Sequence, residues 1–140
     1  MKKRKGSVIL IGMVVLFFSF PLVVLYVLNN GNPILKFIAN TNIPVYLEEK
    51  GIKDDELMAS HYVEPKHLIN KDFYHGHYMV HFKDEPEVIY YYGVLKKGMK
   101  VRQFCERDLV PATEQSIDYY DKKTPSKHLE TNCVNSLDNR

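Results

Sequence analysis

Residues 73–106 read FYHGHYMVHFKDEPEVIYYYGVLKKGMKVRQFCE. Apolar and aromatic residues recur here at every second position, the period of a half-buried strand. Residues 73–83 place Tyr74, Tyr78, Val80 and Phe82 on one parity, and residues 87–95 do the same with Val88, Tyr90, Tyr92 and Val94. The β-branched and aromatic content suits strands. Asp84-Glu85-Pro86 breaks the first run from the second. Lys96-Lys97-Gly98 is a short loop with glycine where a hairpin bulge requires it, and residues 99–106 close the set. Short connections make neighbouring strands antiparallel.

Working outward, Leu57–Val63 reads as one more short strand. Residues 34–50 carry Leu35, Ile38, Ile43, Tyr46 and Leu47 at roughly helical spacing. Asn42 is a capping residue type and Pro44 fits a first turn, so a break or kink is expected near 42–44. Gly51 fits the left-handed position after a helix, with Ile52 as its apolar follower. The expected fold is α+β: one helix packed on a three- or four-stranded antiparallel meander spanning residues 34–108. Residues 109–140 form a polar tail without sustained period, either disordered or loosely attached. Within it Ile117, Tyr119 and Tyr120 are an apolar group able to dock on the sheet.

The chain has 140 residues, a formal charge of +2 and two cysteines. That is one domain plus an appendage. The averages conceal a second object. From Val8 to Leu28 no residue is charged. As a helix these 21 residues reach roughly 31 Å, the thickness of a bilayer's hydrocarbon core. Lys2, Lys3, Arg4 and Lys5 precede the run, and the next basic residue is Lys36. By the positive-inside rule residues 1–7 are cytoplasmic, 8–28 span, 29–33 link, and 30–140 lie outside the membrane. A cleaved signal peptide is the competing reading, but its apolar region is about 7–15 residues and ends in a small-x-small site. Here the run is longer, and Asn29-Asn30-Gly31-Asn32-Pro33 lacks that pattern. Residues 8–28 therefore read as an uncleaved signal-anchor in contact with lipid, and Lys2–Lys5 as a topology signal that also touches anionic lipid. Without that block the chain holds 15 basic against 17 acidic residues, which gives no reason to expect nucleic acid.

Few residues offer chemistry. His75, His77 and His81 share a strand parity, and alternate strand residues lie about 6.6–6.8 Å apart on one face. Imidazoles so placed can converge on a metal ion, with His61 able to add a ligand from the preceding strand. The competing reading is a solvated face, since the opposite parity is Tyr, Val and Phe; three imidazoles together would also respond to pH. Cys105 and Cys133, both outside the membrane, can form a disulfide. Closing about 29 residues would stabilise the fold by roughly 3.6 kcal/mol through loss of unfolded-chain entropy. The tyrosines divide between core and an outward surface able to bind protein. Asp84, Glu85 and Glu87 form an acidic turn, able in principle to bind a cation and equally explained as a solvated turn. No phosphate-binding glycine loop, zincin helix or nucleophile elbow occurs.

The basic start, the single span, Tyr46-Leu47-Glu48-Glu49-Lys50-Gly51-Ile52 and Phe82-Lys83-Asp84-Glu85-Pro86-Glu87-Val88-Ile89-Tyr90-Tyr91-Tyr92 together carry a resemblance. Over roughly residues 1–106 the chain is similar to small single-span proteins of Bacillus-type Firmicutes grouped as domain of unknown function 3139. The resemblance implies an anchored extracytoplasmic domain in a Gram-positive cell and transfers no catalytic residue. The expectation is a single-pass, non-enzymatic interaction protein without a cofactor, binding an unknown membrane or cell-envelope protein. The alternative is a metal-binding or envelope-sensing protein using the histidine face.

Overall fold

The computed structural model describes residues 2–64, 70–110, 117–119 and 126–139, with the backbone alone at 2–4 and 117–119. The chain divides into two units, Met1–Pro33 and Ile34–Arg140. The first is helix α1, Lys2–Asn30. Its stretch Lys5–Asn30 is long and apolar enough to cross a membrane, and its apolar window is 0% buried. Pro21 cannot donate to the carbonyl four residues back, yet the helix continues through it, as apolar spanning helices tolerate. Ser19 Oγ donates to the Leu16 carbonyl at 3.2 Å, and Asn30 Nδ2 to the Tyr26 carbonyl at 3.0 Å. The expected linker 29–33 shrinks to Gly31 and Asn32, because the last polar turn finds partners within the helix.

In the second unit α2 runs Pro33–Glu49 and buries Ala39, Ile43 and Leu47, a stripe at spacing four. Pro33 opens it, where a missing N–H costs nothing. The break expected near 42–44 does not occur. Asn42 caps no new helix; its Nδ2 donates to the Ile38 carbonyl one turn back at 2.7 Å. Packing of Ile43 and Leu47 on the sheet, about 1.5–3 kcal/mol for each side chain fully buried, outweighs the hydrogen bond forfeited at Pro44. The helix ends as expected. Gly51 adopts φ +81°, its N–H reaches the Glu48 carbonyl at 2.8 Å, and Ile52 N–H reaches that of Leu47 at 2.9 Å.

A single 3-10 turn, Asp54–Glu56, leads into β1 (Leu57–Val63), followed by β2 (His77–Phe82), β3 (Val88–Val94), β4 (Val101–Leu109) and β5 (Ile117–Tyr119). The strands lie in sequence order and every pair is antiparallel. β2 begins four residues later than its pattern suggests, because Gly76 takes φ +107° and turns the chain; a Cβ there would meet the Tyr62 hydroxyl at 2.2 Å. Between Tyr90 and Tyr92 the partner residues on β4 advance from Arg107 to Gln103, so β4 bulges.

One sheet face carries Tyr78, Val80, Phe82, Val88, Tyr90, Tyr92 and Val94 against the stripe of α2, the parity the alternation assigned. The other carries Phe73 and Phe104, whose rings stand 4.9 Å apart. The described part of the tail is packed, contrary to the expectation of a loose appendage. Leu129 joins the α2 side of the core. Val134 bridges Phe104 in parallel along the β4 edge, and Ser136 is buried, accepting from Asn70 N–H at 2.8 Å through its carbonyl. Residues 126–139 thus wrap the edge of β4 from one face to the other. Ile117–Tyr119 pairs with β4 as backbone; Tyr120 lies outside the described residues.

Candidate functional site

The strand histidines are not brought together. His75 precedes the Gly76 turn and sits 3.7 Å from the Glu64 carboxylate. His77 lies under aromatic rings, 4.6 Å from Phe104 and 5.6 Å from Tyr91 between centroids. Its Nε2 is buried and has no hydrogen-bond partner among the described residues. Burial, with some repulsion from His75, pushes its pKa down to about 4. His81 Nε2 is 2.8 Å from the Pro86 carbonyl at the other end of the strand. Among the described residues no three His, Cys, Asp or Glu side chains could share a metal ion. The structure therefore gives His75, His77 and His81 no common metal site among the described residues. Such a site needs a continuous strand with an open face; Gly76 interrupts the strand, and Phe104 packs against the His77 ring.

The cysteines do meet. Cys105 and Cys133 form a disulfide with 5.0 Å between Cα atoms. The backbone beside it is paired, Val134 N–H to the Gln103 carbonyl at 2.9 Å and Cys105 N–H to that of Val134 at 3.0 Å.

The acidic turn and the tyrosines converge on the tail. Asp84 accepts from His128 at 2.8 Å, and the Lys127 ammonium reaches its carbonyl at 2.7 Å. The His128 bond, with the positive charge of His128 and Lys127, holds the Asp84 carboxyl below the usual carboxylate range. Glu85 takes the Tyr90 hydroxyl and the Lys127 N–H. His128 stacks on Phe82, 3.7 Å between centroids and 6° from parallel. Gln103, fully buried, satisfies three groups: Nε2 donates to the Tyr92 hydroxyl at 2.9 Å and the His128 carbonyl at 2.8 Å, and Oε1 accepts from Glu130 N–H at 2.6 Å. Tyr46 donates to the Glu130 carboxylate at 2.7 Å. Burial first, then the Glu130 and Glu85 carboxylates respectively, raises the pKa values of Tyr46 and Tyr90. These tyrosines remain neutral donors, holding an internal network.

Alternation could not find this network, because Gln103 is a polar residue on the inward parity of β4 and His128 and Glu130 lie in the tail, outside any period. Charge offered one signal: Ser126-Lys127-His128 complements Asp84-Glu85.

The domain has two chemically different ends. One gathers the turn at Asp54–Glu56 and the Asp84–Glu87 turn, joined where Lys83 N–H meets the Glu56 carbonyl at 2.9 Å. The other holds the β3–β4 hairpin, where residues 96–100 are all exposed and include Lys96, Lys97 and Lys100. Here Lys96 N–H reaches the Asp72 carbonyl at 2.8 Å. The first half of α2 lies at this second end, since Leu35, Ile38 and Ala39 share a small cleft with Tyr74, Gly76 and Val94.

A long apolar helix and a disulfide-closed α+β domain define the class: a small protein with a candidate membrane segment and one sheet domain. A family model described as protein of unknown function (DUF3139) matches residues 3–92, and the chain belongs to that family. The match ends before Cys105, so the disulfide and the wrapped tail lie beyond it. No curated protein and no solved structure matches the chain.

Proposed function

We propose that α1 anchors the chain in the cell membrane in a single pass, N-terminus inside, and presents residues 34–140 outside as a non-enzymatic binding module. The observation that carries this is the apolar helix Lys5–Asn30, none of whose apolar window is buried. Hydrocarbon is the environment that such a surface, apolar on every side, requires. The disulfide supports the outer placement, since such bonds persist in oxidising compartments. The Gram-positive envelope is the setting that the family resemblance favours. The interaction role is supported by how the titratable groups are used: Tyr46, Tyr90, Asp84 and Glu130 are engaged in holding the tail.

The test is protease shaving of intact cells carrying the full chain. Cleavage within 34–140, with the chain retained in the membrane fraction, is the expected result. Protection of that region would reverse the orientation, and release of a shortened chain into the medium would replace the anchor by a cleaved signal.

A further inference from the structure

We propose that the lysine-rich end of the domain docks on the surface of the membrane that holds α1, with Phe37 and Met99 entering the lipid interface and Lys96, Lys97 and Lys100 at the headgroups. The proposal rests on the anchored reading above. Three observations lead to it.

The first is an apolar stripe that the domain leaves uncovered. Phe37 and Val45 are 69% and 52% exposed, although α2 buries its opposite side in the core. With Thr41 between them they recur at spacing four and share one helix face. Met99, also exposed and held at φ +54°, lines a shallow cleft with Thr41 and Val45, so the hairpin tip continues the stripe.

The second is charge. Lys96, Lys97 and Lys100 flank Met99 within five residues. Lys96 Nζ donates to the neutral Lys71 carbonyl at 2.7 Å, and no ion pair to Lys96 occurs among the described residues. Of the nearby acids, Asp72 accepts from Asn139, and Glu49 lines the Met99 cleft together with Lys100 and Arg102, so basic residues outnumber acids there. An apolar strip bordered by lysines is the pattern of segments that lie in a membrane interface, and each lysine near an anionic surface adds about fivefold to the attraction.

The third is chain continuity. Gly31 and Asn32 alone separate α2 from α1 in sequence, and two residues reach at most about 7 Å. If α1 spans, α2 starts at the headgroups, and the lysine-rich end holds its first half. The acidic end lies at the opposite end of the strands.

The chain contains no tryptophan, so single replacements report on one site each. The full chain is reconstituted in lipid discs of phosphatidylcholine with one-third phosphatidylglycerol, carrying a quencher either near the headgroups or deep in the acyl chains. The variants are Phe37→Trp, Met99→Trp, Phe17→Trp within α1, and Glu87→Trp at the acidic end. The first two replace exposed side chains and leave the core intact. The expected result is a loss of emission of about twofold or more at Phe37→Trp and Met99→Trp with the shallow quencher, and none at Glu87→Trp. Phe17→Trp should respond to the deep quencher. Adding Lys96→Glu, Lys97→Glu and Lys100→Glu should abolish quenching at Met99→Trp. Quenching at Phe17→Trp without Phe37→Trp and Met99→Trp overturns docking and leaves the anchor standing. Silence at Phe17→Trp overturns the anchor and docking together. A Met99→Trp signal that ignores lipid but responds to a soluble polyanion also overturns the proposal, in favour of a different anionic partner.

Discussion

The two ends of the sheet carry opposite charge and treat it differently. At the acidic end Asp84 and Glu85 are met by the chain's own Lys127, His128 and Tyr90. At the basic end, among the described residues, no carboxylate bridges Lys97 or Lys100. The comparison teaches where the domain spends its polar contacts. One end is closed by a tail that returns across the strands; the other keeps its cations on the surface beside uncovered apolar side chains. A net charge of +2 averages over this asymmetry.

The sharpest way to break the comparison is to release the tail. Reducing the Cys105–Cys133 bond, or replacing Cys133 with alanine, should lower stability by roughly 3.6 kcal/mol, the loop-closure contribution. Chemical denaturation of the full chain in detergent, with and without reductant, measures this. An unchanged midpoint would mean that the side-chain network alone holds residues 126–139.

A second test separates the aromatic face from both ends. The pKa of His77 lies near 4 in the fold against an ordinary 6.5, so the unfolded chain takes up the proton first as pH falls. Stability is therefore full above pH 6.5, declines below it and levels off near pH 4, a total on the order of 3 kcal/mol. His77→Phe should remove this slope. A slope that survives the substitution would assign it elsewhere.

A third test addresses the joint between tail and core. Gln103→Leu strands the Tyr92 hydroxyl, the His128 carbonyl and the Glu130 N–H, and should cost about 2 kcal/mol. The denaturation midpoint of the variant measures it. If its loss simply adds to that of reduction, joint and disulfide act independently; a smaller combined loss shows that they hold the same segment.

What was legible in the sequence follows from what is local. The bounds of β1, the inward parity of Val88, Tyr90, Tyr92 and Val94, and the Gly51–Ile52 helix end all depend on nearest neighbours or on a simple period. The disulfide was legible as an option, because both cysteines lie on the same side of the apolar segment. Pro44 misled because a local propensity was overridden by burial of Ile43 and Leu47 on the sheet. The separation of the histidines was not legible, because it comes from one glycine torsion and from a distant ring, Phe104, packed on His77. The tail's contacts join residues some 25 to 85 positions apart, and no window along the chain contains them.

The smallest effect expected concerns the acidic turn itself. Asp84 is exposed, and its carboxyl is held low by His128 and Lys127, so this contribution is present at neutral pH and lost only as pH falls through the depressed value. That window lies below the one in which His77 acts, so the two are separable in one titration. Asp84→Asn keeps the shape of the side chain and removes the charge. Because the ion pair is at the surface, salt should screen it: at about 1 M the screening length falls to about 3 Å, shorter than the 3.7 Å between Lys127 and Asp84. The midpoints of Asp84→Asn and the parent chain should differ slightly in low salt and converge in high salt. A difference that persists in high salt would show that the tail is held here by hydrogen-bond geometry rather than charge, and the contrast between the two ends would then be one of packing.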